Sequence, residues 1–295
     1  MKILLTADLH INIPRRHPRT GQTTFEAFAQ AVRDHQPNAV VVAGDIGSIY
    51  HAGNQLRMIR EAAGDIPVAM TLGNHDHWVE PDGHVEFPSL QDAVDGFWKF
   101  PADIYKITLL DAENLNLGPI TLVGGYGHFD LGHAEPNFTF EGKAVTEEVY
   151  LSGQLGRLFW NDFHYIPNCA RFIKAEAQAQ AAGIASRLAA SDSQRLVVVT
   201  HTCPWRELNG HPLRGNEQDL LSAYSGNSLV GKALEQEKER IELLFCGHTH
   251  MPVRERGVCS IRSLNIGTDY GIFRGIIYDT VSGTIEWIGE PFKSS

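Results

Sequence analysis

Nine polar side chains stand where they can act together: Asp8, His10, Asp45, Asn74, His75, Asp76, His201, His248 and His250. Each closes a short apolar run, as Asp45 does after Ala39-Val40-Val41-Val42-Ala43-Gly44. Carboxylate and amide oxygens mixed with imidazole suit Mn, Fe, Zn, Co or Ni, and the lack of thiolates in the set argues against a structural zinc knot. The alternating pairs Asp8-Leu9-His10 and His248-Thr249-His250 place both side chains of a pair on one face of an extended segment. So many donors exceed what one tetrahedral ion takes and match two ions of higher coordination sharing a ligand. The chain's 14 histidines, gathered at such ends, point the same way.

The elements that must carry these groups follow from the apolar runs. Runs without polar alternation read as strands covered on both faces, as in a sheet flanked by helices. They fall at residues 3–7, 39–43, 67–72, 196–200 and 241–246, with shorter runs at 107–110, 115–117 and 120–123. Ligands gather at the carboxyl ends of such strands, which is where the polar residues lie. Thr23-x-x-Glu26 is a capping box opening a first helix, and further helices are expected around 55–63, 169–190 and 232–240. Residues 258–266, 275–278 and 284–288 read as closing strands, expected to pair as an antiparallel second sheet. Residues 126–168 are rich in aromatics and His, lack a clean period, and read as an insertion beside the site. One domain over 1–295, with 126–168 as an inserted cap, is the expected organisation.

Composition sets limits on partners. With 25 Lys+Arg against 35 Asp+Glu the net charge is -10, which opposes a long phosphate backbone but not a small anion met first by metal cations. No apolar run approaches the roughly 18 residues of a membrane span, and the run before Asp8 is too short for a signal peptide. The cytoplasm is the expected compartment. The four cysteines lack C-x-x-C spacing and read as buried free thiols.

Taken in order, Asp8-Leu9-His10, Gly44-Asp45, Gly73-Asn74-His75-Asp76, His201 and Gly247-His248-Thr249-His250 resemble the five motif blocks of the calcineurin-like metallophosphoesterases. Asn265-Ile266-Gly267-Thr268 is similar to the turn that follows the last block in many relatives, with Ile in place of Pro. The resemblance covers residues 3–124 and 195–268 and leaves out the insertion. It implies an α/β fold, a four-layer α/β/β/α sandwich of two mixed sheets. It implies two transition-metal ions, Mn or Fe favoured: Asp8, His10, Asp45 and His250 would hold one, and Asp45, Asn74, His201 and His248 the other, with Asp45 bridging. A hydroxide between the ions would attack phosphorus, His75 would serve as charge stabiliser or general acid, and Asp76 would orient it.

The expected substrate is a small phosphoester or nucleotide, as monoester or diester. A repair-type nuclease on the same fold is the runner-up, and a non-catalytic scaffold the third reading. His77 is expected at the surface and Arg15, Arg16 and Arg206 in solvent, while Trp78 is a candidate pocket wall. Among the insertion residues, His128, Asp130, His133, Trp160, Asn161, Asp162 and His164 divide between a satellite cluster and a substrate-selecting cap.

Overall fold

A computed structural model describes residues 1–80 and 85–291. Alternation along the buried strands decides its architecture. In β1 (Lys2–Thr6), Leu4 faces one core while Ile3 and Leu5 face another; in β2 (Ala39–Ala43), Val40 and Val42 oppose Ala39, Val41 and Ala43 in the same way. Strands apolar on both faces need cover on both, and two layers supply it.

The chain starts as β1, α1 (Thr24–His35), β2, α2 (Ala52–Ala63) and β3 (Val68–Thr71), then α3 (Leu90–Ala93), α4 (Lys99–Tyr105) and β4 (Ile107–Leu109). The Thr23–Glu26 capping box is present at the head of α1. The second sheet begins with β5 (Leu115–Asn116) and β6 (Thr121–Gly125). Residues 126–168 then hold two small hairpins, β7 (Thr139–Phe140) with β8 (Lys143–Ala144) and β9 (Gln154–Leu155) with β10 (Leu158–Phe159), and two short helices, α5 (Glu147–Ser152) and α6 (Asp162–Tyr165). There follow α7 (Cys169–Ala189), β11 (Leu196–Thr200), α8 (Ser228–Gln236), β12 (Ile241–Cys246), β13 (Val253–Val258), β14 (Ile261–Asn265), β15 (Arg274–Asp279) and β16 (Ile285–Gly289).

Strand order is β16-β15-β1-β2-β3-β4 in the first sheet and β13-β14-β12-β11-β6-β5 in the second. Strands β1 to β4 run parallel, as do β6, β11, β12 and β14, while β15, β13 and β5 pair antiparallel with β1, β14 and β6. Leu5, Val41, Val197, Val199, Leu243 and Phe245 fill the space between the sheets. Phe28, Leu56 and Ile59 pack helices on the outer face of the first sheet, and Ile184, Leu188 and Leu234 do so on the second. The result is helices, sheet, sheet, helices. It is the four-layer fold that the resemblance implies.

The C-terminal strands differ from expectation. Residues 258–266 do not form one strand; they divide at Cys259 and Ser260, both at positive φ, into the β13–β14 hairpin of the second sheet. β15 and β16 return to the first sheet beside β1. The cause is burial: Ile277 faces the helix side and Ile276 and Tyr278 the inter-sheet side, so β15 needs an interior place. The helix expected at 232–240 begins earlier, because Asn227 caps α8 through the Leu229 and Val230 N–H groups. Among the described residues no helix is long and apolar enough to cross a membrane.

Candidate metal centre

Parallel strands in both sheets bring their carboxyl ends to one rim. Asp8 and His10 leave β1, Asp45 leaves β2, Asn74 and His75 leave β3, His201 leaves β11, and His248 and His250 leave β12. The turns are sharp: Asp8, His10, Asp45, His248 and His250 all have φ between 42° and 70°. For residues other than glycine this left-handed conformation costs about 1 kcal/mol or more each and gathers where function over-determines the backbone. Two motif glycines explain the close approach. A Cβ on Gly73 would meet Asp45 Oδ1 at 2.2 Å, and one on Gly247 would meet Asp8 Oδ2 at 2.4 Å.

The side chains form two donor groups. In the first, Asp8, His10, Asp45 and His250 each place a ligand atom within 4.8 Å of the others. His10 Nε2 lies 3.2 Å from His250 Nε2 and 3.6 Å from Asp45 Oδ2, an oxygen that is buried with no hydrogen-bond partner. In the second, His201 Nε2 lies 3.1 Å from Asn74 Oδ1 and 3.3 Å from Asp45 Oδ1, and His248 Nδ1 lies 3.0 Å from Asn74 Oδ1. Asp45 therefore turns one oxygen to each group.

Backbone carbonyls engage the outer ring nitrogens of both histidines of the second group. His201 Nδ1–H donates to the Ala43 carbonyl at 2.8 Å and His248 Nε2–H to the Tyr224 carbonyl at 2.9 Å. The opposite nitrogens face into the site: His248 Nδ1 turns its lone pair toward the Asn74 oxygen, and His201 Nε2 does so once it loses its proton. Two ligands at right angles around one ion, at about 2.1 Å each, stand about 3.0 Å apart. The donor set fits a cation.

Electrostatics agree. Burial opposes charge on His201, yet the Asp45 and Asp8 carboxylates raise it to about 10. Burial lifts Asp8 to about 7, against the pull of His250 and His201. His201 thus carries a proton at neutral pH that offsets the charge of the two carboxylates. Because the folded pKa lies above the unfolded value near 6.5, this proton contributes stability in full below about pH 6.5, lost as pH climbs through about 10. Binding a metal must displace it. If His201 ligates an ion, affinity for that ion is expected to rise about tenfold per pH unit between pH 7 and 9, with about one proton released. Calorimetry in buffers of different ionisation enthalpy measures that proton, and a pH-independent affinity would contradict the assignment.

Other expected site residues are placed differently. The Asp76 oxygens accept not from the His75 ring but from the backbone N–H groups of Ile46, Gly47 and Gly73, tying together the turns after β2 and β3. His75 instead stacks on Trp78 with ring centroids 3.6 Å apart, and its Nε2 lies 3.9 Å from Asp45 Oδ2. Burial lowers it to about 4. His77 is not at the surface; it is buried, bonded to the Gly73 carbonyl and stacked on Tyr126. Cys259, expected buried, is exposed, while the other three cysteines are buried.

A cavity of about 330 Å³ opens above both groups, walled by Trp78, Leu158, Phe159, Trp160, Leu221 and Tyr270. The insertion divides as two classes. His128 and His133 are buried in hydrogen bonds to Tyr126 and Ser225, and Asp130 supports the head of α8, whereas Trp160, Asn161 and Asp162 line the cavity. Sequence reasoning missed Asp269, which holds His250 Nδ1 at 3.2 Å, and Tyr270, whose ring lies 4.5 Å from that of His10. Arg206 pairs with Glu135 and Arg16 with Glu26, both away from the cavity.

The sequence profile of the calcineurin-like phosphoesterases matches residues 1–252, which include every residue of both donor groups. The chain belongs to this family. It is a metal-dependent phosphoesterase, in a family that works with paired metal ions. No curated protein matches it. Among solved structures, it is similar to the phosphopantetheinyl hydrolase PptH of Mycobacterium tuberculosis, with 18% identity, a TM-score of 0.68, and 92% of this chain and 90% of that one covered. It is also similar to TT1561 of Thermus thermophilus, with 13% identity, a TM-score of 0.52 and 98% of each chain covered. At these identities the likeness is one of fold.

Proposed function

We propose that this phosphoesterase hydrolyses a small ester carrying a single phosphate, with Asp8, His10, Asp45 and His250 holding one ion and Asp45, Asn74, His201 and His248 the other. The observation that carries this reading is the division of Asp45 between the two donor groups. Bound there, two manganese or iron ions would supply Lewis-acid contacts to phosphate oxygens and a water of lowered pKa. His75 lines the cavity beside the donor groups, where its ring N–H can donate to a phosphate oxygen. Asp76 acts indirectly, by fixing the turns that present Asp45 and Asn74.

The cavity supports a small substrate. Its walls are largely aromatic and aliphatic, with Asn161, His211, Ser225 and Thr249 among the polar lining, and among the described residues no Lys or Arg lines it. An uncharged ester group fits the apolar part of this wall, whereas further phosphates would lose hydration without meeting a Lys or Arg among the described lining. With a net charge of -10, the same feature gives the nuclease reading no support. Residues 126–168 act as the cap that shapes this wall, within a single domain. The buried free thiols favour the cytoplasm.

The test is a matched panel with the manganese-loaded protein: bis(p-nitrophenyl) phosphate, p-nitrophenyl phosphate, a nucleoside triphosphate and duplex DNA. A phosphopantetheinyl ester, named for the M. tuberculosis relative, belongs in it. Hydrolysis of at least one single-phosphate ester, stopped by a chelator, is expected to exceed that of triphosphate or DNA at least tenfold. A loaded protein inert toward the whole panel, or fastest on DNA, would overturn the reading.

A further inference from the structure

The insertion contributes one residue whose bonds reach past the cavity wall. Asp162, at the start of α6, is fully buried, and three N–H groups converge on its carboxylate. Asn74 Nδ2 donates to Oδ1 at 2.9 Å, Trp78 Nε1 to Oδ1 at 2.6 Å and Trp160 Nε1 to Oδ2 at 3.0 Å. All three partners are donors, so the group acts as an acceptor throughout.

That fixes the amide of Asn74. Its nitrogen end must face Asp162, and its oxygen end then faces His201 and His248, 3.1 and 3.0 Å away. A freely turning amide would spend part of its time presenting –NH₂, which cannot ligate a cation. We infer that Asp162 is a positioning residue for the second ion, locking Asn74 with its oxygen inward, so that the insertion completes the metal centre as well as shaping the cavity. The same carboxylate holds the indoles of Trp78 and Trp160, two cavity walls, so the placement of those walls and the loading of the second ion depend on one group. The inference rests on the two-ion reading above.

The test is manganese uptake by equilibrium dialysis with elemental analysis, followed with activity but not dependent on it. Asp162→Ala is expected to keep the first ion and to lose affinity for the second by about 10–100-fold, the usual effect of removing a group that orients a metal ligand. Asp162→Asn retains an acceptor oxygen, best placed where Asn74 and Trp78 both donate, and is expected to recover most of that affinity. Trp160→Phe removes a different donor from the same carboxylate and is expected to bind both ions as the wild type does. A merely structural role would weaken both ions together. Wild-type affinity in Asp162→Ala, an Asp162→Asn no better than Asp162→Ala, or an equal loss in Trp160→Phe would each overturn the inference. If Asp162→Ala does not fold, as judged by its thermal melt, Asp162→Asn and Trp160→Phe are read directly against the wild type: near-wild-type second-ion affinity in both supports the inference, and a tenfold loss in either overturns it. A wild-type chain that takes up fewer than two ions defeats the underlying two-ion reading instead, and is recognised before any variant is compared.

Discussion

Asp45→Ala is expected to bring the chain from two metal ions to none at micromolar metal, with at least a thousandfold loss of phosphoester hydrolysis. Both donor groups depend on this residue: Oδ2 lies 3.6 Å from His10 Nε2, and Oδ1 lies 3.3 Å from His201 Nε2. Alanine leaves each ion with three protein ligands and removes the one negative charge they share. It also leaves the buried His75 backbone N–H, which donates to Oδ1 at 2.9 Å, without its acceptor, at a cost of about 1–3 kcal/mol. Asp45→Asn separates the two effects. It keeps an acceptor for His75, yet it lacks the shared charge, so it should lose the stability that the His201 proton contributes and hold at most one ion. Elemental analysis giving two ions per chain in Asp45→Ala would refute the bridging role.

Much of the centre was readable from sequence because its residues stand at the ends of uninterrupted apolar runs. Val40-Val41-Val42 can only be a strand covered on both faces, and a carboxylate at its end lies on the rim where parallel strands finish. What sequence did not show is geometry that depends on distant partners. The left-handed turns at Asp8, His10, Asp45, His248 and His250 involve residue types that tolerate many conformations, so nothing local marks them. His77 reads as one more polar loop residue until Tyr126, brought in by β6, covers it. The destination of β15 is set by which neighbour covers both of its faces, a matter of strand order that no local period encodes. Asp162 sits within Trp160-Asn161-Asp162, and only the folded insertion brings it to Asn74, 88 positions earlier in the chain.

The position of Asp76 alters what removal of His75 should do. A histidine that gives its proton to a departing alkoxide is commonly held by a carboxylate that favours the imidazolium. Asp76, the residue expected to do this, is occupied by three backbone N–H groups, and Asp45 Oδ2, at 3.9 Å, is beyond hydrogen-bond reach of His75 Nε2. The ring is buried, which disfavours its charged form. His75 is therefore expected to act as a neutral N–H donor to the phosphate, stabilising charge there without passing on a proton. His75→Ala should keep both ions, because the ring belongs to neither donor group. Turnover should fall by about 10²–10³-fold, the usual result of removing one such donor. The loss should be similar for p-nitrophenyl and for simple alkyl esters. Proton donation to the leaving group predicts another pattern, with alkyl esters losing far more, since p-nitrophenolate departs readily without a proton. A series of aryl and alkyl phosphodiesters assayed with both proteins reads the difference as a slope against leaving-group pKa. A steeper slope in His75→Ala would restore general-acid catalysis to this residue and require substrate binding to raise its pKa against the burial that now holds it down.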